Sequence, residues 1–263
     1  MTVISSRSMR LDQARVVLLA VLGVAQSAVA IAAANGGLGT PVGEVARSHP
    51  TPLLAATWAF TVWIPIYVGF LAYAGYQCLP RQRHRHLHRR TGWWLAVSAV
   101  CNAVWVLTWS GGMLALAELM LIGMLVTTAA VFGRLSRETA ASVAERIVFR
   151  TPVAVYTGWV STAIVTGTAT TGAWAGLPGD TAIASVAAVT VLAAVAAIIV
   201  WVILNGTAVV GYAAAVLWAL AAIVLNEPPM LVAASLALVL AVVLVATLRR
   251  IGSSADRTRA AFG

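Results

Sequence analysis

Long apolar runs, separated by short polar segments, account for most of this chain. They lie at about Ala14–Ala34, Thr51–Leu79, Gly92–Trp109, Met113–Phe132, Thr151–Trp174, Thr181–Leu204, Thr207–Leu225 and Pro229–Leu248. A helix needs roughly 20 apolar residues to cross a hydrocarbon core, so the pattern predicts eight transmembrane helices. Period-two alternation over ten-residue stretches, the mark of a membrane barrel, is absent. The expected fold class is an all-α polytopic membrane bundle.

Local signals set the boundaries. Thr51-Pro52 and Thr151-Pro152 each read as an N-cap followed by a first-turn proline. Pro65, further along the second run, is expected to kink that helix. Gly111-Gly112 makes a tight reversal, and Pro178-Gly179-Asp180 a turn with an N-cap. Ser142 and Glu145 have capping-box spacing, which predicts a short interfacial helix. The polar segment Asn35–Pro50 is read as a loop. Ser27-Ala28-Val29-Ala30 resembles a signal-peptidase site, but the near full-length apolar run favours a retained helix.

Charge orients the bundle. Only 10% of the 263 residues are charged and 61% are hydrophobic, where a soluble domain carries about 25% charged residues. All 17 cationic side chains are arginines. With eight spans, all but Arg47 fall on one side, so the positive-inside rule puts that side and both termini in the cytoplasm. The net charge of +9 sits in short segments flanking apolar runs. Its expected partners are anionic lipid headgroups and not nucleic acid. Abundant Ala, Val and Arg without Lys suggest a bacterial inner membrane. Cys78 and Cys101 have no metal-ligand spacing, and no disulfide is expected there.

Few polar or aromatic residues interrupt the apolar runs. Trp93, Trp94 and Trp174 fall at span ends, as an interfacial belt does. Counting about 1.5 Å per residue, Trp58, Trp63, Trp105 and Trp109 lie in the outer half, with Tyr67 deeper and Asn102 near the midplane. Trp159 falls in the inner half and Ala163 near the midplane. A buried indole N–H wants a partner, and two readings stay open: helix packing or the wall of an aromatic pocket. Glu118 is the one acidic residue inside a predicted span. A charge at the bilayer centre costs about 2.5–3.5 kcal/mol, so its carboxyl is protonated, paired or facing a wet cavity. His84, His86 and His88 could bind a metal, but among five arginines they read better as a solvated loop. Gly158 with Thr162, and Gly211 with Ala215, have small-xxx-small spacing that serves either dimer or intrachain packing. There is no nucleotide loop, nucleophile–base pair or metalloprotease motif, so a non-enzyme with no required cofactor is expected.

Three segments carry a resemblance. They read Trp58-x-Phe60-x-Val62-Trp63-x-x-Ile66-Tyr67-x-Gly69, then Asn102-x-x-Trp105, then Pro152-x-x-x-Tyr156-x-x-Trp159-x-x-x-Ala163. In this order they resemble the tryptophan-rich sensory protein family (TspO/MBR), bacterial relatives of the translocator protein. The resemblance implies a five-helix unit over residues 1–175, with three added helices in 176–263, and commonly a homodimer. It also implies a pocket for porphyrin or another hydrophobic ligand facing the Asn35–Pro50 loop. Matched positions are Trp63, Tyr67, Asn102, Trp159 and Ala163, and Trp58, Trp105, Glu118 and Tyr156 complete the expected ligand-binding set. The family pattern spaces its Phe and Trp one residue further apart than Phe60 and Trp63, a difference of about 100° on a helix. Gly167 stands where the family often has asparagine.

The resulting expectation is a sensor or carrier of a flat, tetrapyrrole-like molecule. The alternative is a proton-coupled secondary transporter using Glu118, with Pro65 as hinge. A porphyrin-degrading enzyme lacks support from any acid–base pair.

Overall fold

The structure, a computed structural model, describes residues 6–179 and 181–263. Most of those residues are helical, and no strand occurs among them. The helices are α1 (Ser6–Ala34), α2 (Val42–Arg47), α3 (Trp63–Cys78), α4 (His86–Ser110), α5 (Leu114–Arg137), α6 (Val143–Glu145), α7 (Thr151–Trp174), α8 (Ala182–Asn205), α9 (Val209–Val224), α10 (Met230–Gly252) and α11 (Arg257–Phe262). A 3-10 segment, Thr57–Val62, leads into α3, and a π segment, Arg146–Arg150, joins α6 to α7.

Six helices are long and apolar enough to cross a membrane: α1 from Met9, α3 with its 3-10 lead, α4, α5, α8 and α10. The other two long helices differ for identifiable reasons. α9 is apolar but has 16 residues. α7 has 24 residues but is rich in threonine. Many of its hydroxyls bond back one turn, as Thr157 does to Val153 and Thr162 to Gly158. That geometry satisfies the polar atom inside the helix itself.

Polar contacts sort the connections into two ends. At one end Arg15 reaches the Arg83 carbonyl, Arg85 pairs with Glu145, Arg146 donates to the Gly263 carbonyl and Arg250 to the Gly206 carbonyl. At the other, Thr40 N–H donates to Ser110, Ala56 N–H to Ala222, and the Asn226 amide to Leu54. The arginines therefore gather at one end, apart from Arg47, which bonds Thr57.

Three boundary expectations are corrected. Thr51-Pro52 does not start a helix; residues 51–56 are non-helical, and Thr51 Oγ accepts from Leu53 N–H in a turn. Leu53 packs beside Thr162, Val165 and Thr166, well inside the end of α7 at Trp174. Non-helical backbone at that depth is tolerated where protein buries it, and here Ala222 and Asn226 take up its polar groups. Pro65 consequently lies in the first α-turn, just after the 3-10 segment, where its missing N–H costs little. It marks a change of helix type and not an interior kink. Thr151 is not a cap either: Arg150 and Thr151 are both helical, and the chain turns continuously from Val143 into α7. The cap sits upstream, where Ser142 Oγ accepts from Glu145 N–H at 3.1 Å, as the capping-box spacing predicts. Asp180 lies outside the described residues; the cap of α8 is Thr181, which accepts from Ala184 N–H.

The solvated-loop reading of the histidines is also corrected in part. α4 begins at His86, and His88 is fully buried, with Nδ1 at 3.3 Å from the Tyr73 hydroxyl and its ring packed on Phe149. His84 bonds Asp12 instead. No cluster of three metal-ligating side chains occurs among the described residues.

α7 is the central helix, packed on both α5 and α9. The small residues explain the closeness. A Cβ on Gly158 would run into the Tyr212 backbone, and one on Gly211 would lie 3.1 Å from the Thr151 carbonyl oxygen. The two small-xxx-small motifs thus face each other within one chain. α9 joins the final three helices to the preceding ones without a seam at that point.

Candidate functional site

The 3-10 segment before α3 decides which aromatic side chains meet. In a 3-10 helix, residues three apart eclipse each other. Phe60 and Trp63 therefore share a face although their spacing is one short of the family pattern. Their rings lie 6.3 and 6.2 Å from that of Trp159, each edge-on. Helix type compensates for spacing.

Trp63 is the hub. Its ring stacks on Tyr67 at 5.6 Å and lies 5.4 Å from Trp105 and 5.7 Å from Tyr156. Such pairs contribute about 0.5–1.5 kcal/mol each beyond area burial. Asn102 is fully buried; its Oδ1 accepts from the Tyr67 hydroxyl at 3.0 Å, and its Nδ2 lies 3.7 Å from Met124 Sδ. The Tyr156 hydroxyl reaches the Ser98 carbonyl at 3.5 Å. Trp63 and Trp159 thus meet despite depth counts that separated them into opposite halves. The segment Thr51–Val62 advances more per residue than an α-helix does, so it carries Trp63 deeper.

Beside this cluster is a cavity of about 40 Å³, walled by Phe60, Trp105, Trp109, Trp159, Ala163 and Gly167. A cavity needs about 10–15 Å³ of such space to hold one water, so this one holds a few waters and not a macrocycle. Ala46 of α2 and Leu54-Ala55 close it. The Trp109 indole N–H donates to the Val42 carbonyl at 3.1 Å and ties α2 down over the opening. The indole N–H groups of Trp63, Trp105 and Trp159 are buried with no partner. Buried donors left unpaired carry a desolvation cost of about 1–3 kcal/mol each.

Glu118 sits at the cavity's edge. Its Oε1 accepts from the Thr168 hydroxyl at 2.6 Å, while Oε2 is buried without a partner. Trp58 lies elsewhere: it is 38% exposed and meets Trp218 edge-on at 4.7 Å. Of the nine expected site residues, Trp63, Tyr67, Asn102, Trp105, Tyr156, Trp159 and Ala163 come together, Glu118 borders them, and Trp58 does not join.

Two buried ion clusters went unread in the sequence. Asp12 is held by Arg15, His84 and Arg89. Glu145 is held by Arg85 and Arg150, and Arg150 also donates to the Leu135 and Glu138 carbonyls at the end of α5. Burial alone would raise the Glu145 pKa, but hydrogen bonds from Arg85 and Arg150 and the Arg150 charge outweigh it and hold the carboxyl below its usual range. Asp12 lies two residues before the apolar run that begins at Ala14, where no periodic signal marks it.

A family model described as TSPO-like protein matches residues 15–248. The chain belongs to this family. The match runs past Trp174 through α8 and α9 and nearly to the end of α10, beyond the five-helix unit of residues 1–175 that the aromatic motifs implied. No curated protein and no solved structure matches the chain. Membership in the TSPO-like family and the six spanning helices make this a multi-pass membrane protein.

Proposed function

We propose that this TSPO-like protein binds a flat hydrophobic ligand of tetrapyrrole type, as a sensor or carrier, in the space beside the Trp63 cluster, between the 3-10 segment, α4, α5 and α7. The observation that carries the reading is the convergence of three unpartnered indole donors, Trp63, Trp105 and Trp159, on one aromatic cluster. Aromatic faces stack on a flat ring, and the free N–H groups suit a ligand with acceptor atoms at its edge. The 40 Å³ cavity is too small for such a ligand, so binding widens it. Entry of such a ligand requires α2 and residues 51–56 to swing aside.

The topology belongs to the same proposal. α7 and α9 complete eight spans, and the arginine-bearing end, with both termini, faces the cytoplasm of a bacterial inner membrane. Residues 1–175 then form the ligand-binding unit and 176–263 its supporting helices. The protein acts as a binding protein rather than an enzyme, and a second copy of the chain is its partner in a homodimer.

The test is saturable quenching of tryptophan fluorescence by a porphyrin in purified protein. Trp63→Ala is expected to weaken binding about tenfold or more, as loss of a hot-spot aromatic does. Identical quenching in that variant removes the site. A second reading, proton-coupled transport, is favoured by the unpartnered Oε2 of Glu118. Gradient-driven uptake into proteoliposomes that collapses in Glu118→Gln would support it.

A further inference from the structure

α8 packs along α10 and meets α7 and α9 at only a few residues. A cavity of about 630 Å³ opens along that seam at the arginine-bearing end, between α5, α7, α8 and α9. Its wall is mostly apolar, with Leu125, Ile164, Ile198 and Ile199, and the hydroxyls of Ser161 and Tyr212, which bond each other at 3.2 Å, are among its inner polar groups. Its mouth is polar, with Ser136, Arg137 and Asn205. On α5 it runs from Leu125 to Arg137, which is about 18 Å at roughly 1.5 Å per residue. One leaflet of the hydrocarbon core is about 15 Å deep. The cavity therefore matches one acyl chain in length, with its cation, Arg137, at the mouth.

The mouth is cationic. Arg250 donates to the Gly206 carbonyl at 3.1 Å and Arg259 to the Ser136 carbonyl at 3.5 Å, and Gly206 and Ser136 both line the cavity. Arg137 is exposed there. Nearby cations are otherwise engaged: Arg134 lies over Trp94 and donates to the Ala130 carbonyl, and Arg150 is held by Glu145. Among the described residues no acidic side chain lines the cavity.

We infer that this cleft binds one anionic phospholipid from the leaflet on the arginine-bearing side, its acyl chain between α5 and α8 and its phosphate at Arg137. The site is separate from the aromatic cavity, so it stands or falls independently of the ligand proposal.

Gly133 supplies a clean test. It lines the cleft, and a Cβ built on it has no atom within 4 Å. Gly133→Phe fills the cleft without displacing the fold, and circular dichroism checks that it is helical. The full chain is equilibrated with equal amounts of phosphatidylglycerol and phosphatidylcholine, and retained lipid is read by native mass spectrometry. The wild type is expected to keep one phosphatidylglycerol at about fivefold preference, the effect of one cation near an anionic headgroup. Gly133→Phe should lose that lipid, and Arg137→Gln should keep a lipid but lose most of the preference. Equal retention of the two lipids, unchanged retention in Gly133→Phe, or unchanged preference in Arg137→Gln overturns the inference. So does a change of oligomeric state in Gly133→Phe, which would make the occupant a second copy of the chain.

Discussion

A Cβ placed on Gly167 would lie 2.6 Å from Oε2 of Glu118. The carboxylate occupies the space that a longer side chain at position 167 would take, where the family often has asparagine. The two positions should be energetically coupled. Gly167→Asn alone is expected to destabilise the protein by about 1–3 kcal/mol through overpacking. Combined with Glu118→Ala, which vacates the space, it should recover at least about 0.5 kcal/mol relative to the sum of the single effects. Thermal unfolding in detergent measures the cycle, and strict additivity would show that the two side chains do not compete.

The unpartnered indole of Trp63 separates binding from stability. Replacing Trp63 with benzothienylalanine keeps ring shape and removes only the N–H. Because that donor has no partner inside the protein, stability should stay level or rise by up to about 1 kcal/mol. Porphyrin affinity should fall about tenfold, the effect of losing one hydrogen bond to the ligand of about 1.4 kcal/mol. A large drop in melting temperature would mean that a buried water or a protein group already satisfies the donor.

Much of this architecture was legible from apolar run length and arginine placement, because a hydrocarbon solvent imposes both. The paired ends of the helices follow that reading; the meeting of Trp63 with Tyr156 and Trp159, across depths that the span lengths set apart, does not. What was not legible came from local geometry. Nothing in Thr51-Pro52 distinguishes an N-cap from a turn opening an extended segment, and the difference is decided by Ala222 and Asn226, about 170 residues away. The 3-10 form of Thr57–Val62, which turns Phe60 and Trp63 to one side, leaves no periodic signal over six residues. His88 resembled its neighbours His84 and His86 by composition, yet Tyr73 and Phe149 bury it alone.

The backbone approach at Gly158 makes a prediction about assembly. Gly158→Leu drives a side chain into the Tyr212 backbone and should cost about 3 kcal/mol, at the upper end of overpacking penalties. Its effect should appear as unfolding of the single chain, with no change in the oligomer of the fraction that stays folded. A dimer lost without loss of thermal stability would place this face between chains instead of between α7 and α9.

Acid sensitivity should trace to Glu145. Its carboxyl takes ion pairs from Arg85 at 2.7 Å and Arg150 at 2.9 Å, and its pKa is lowered in the folded protein. A group whose folded pKa is depressed stabilises fully above its unfolded pKa, about 4.3 for glutamate, and that stabilisation is lost as pH falls through the folded value. The thermal midpoint is therefore expected to hold from neutral pH down to about 5 and to decline below about 4. Glu145→Gln removes this titration. At neutral pH it leaves the buried Arg150 without its counter-ion, which should cost about 3–5 kcal/mol. The variant should start from a lower midpoint and lose less of it in acid than the wild type. Unfolding curves recorded across this pH range test both parts. Parallel acid slopes in the two proteins would assign the acid response to another carboxylate, with Asp12 and its arginines the next to substitute.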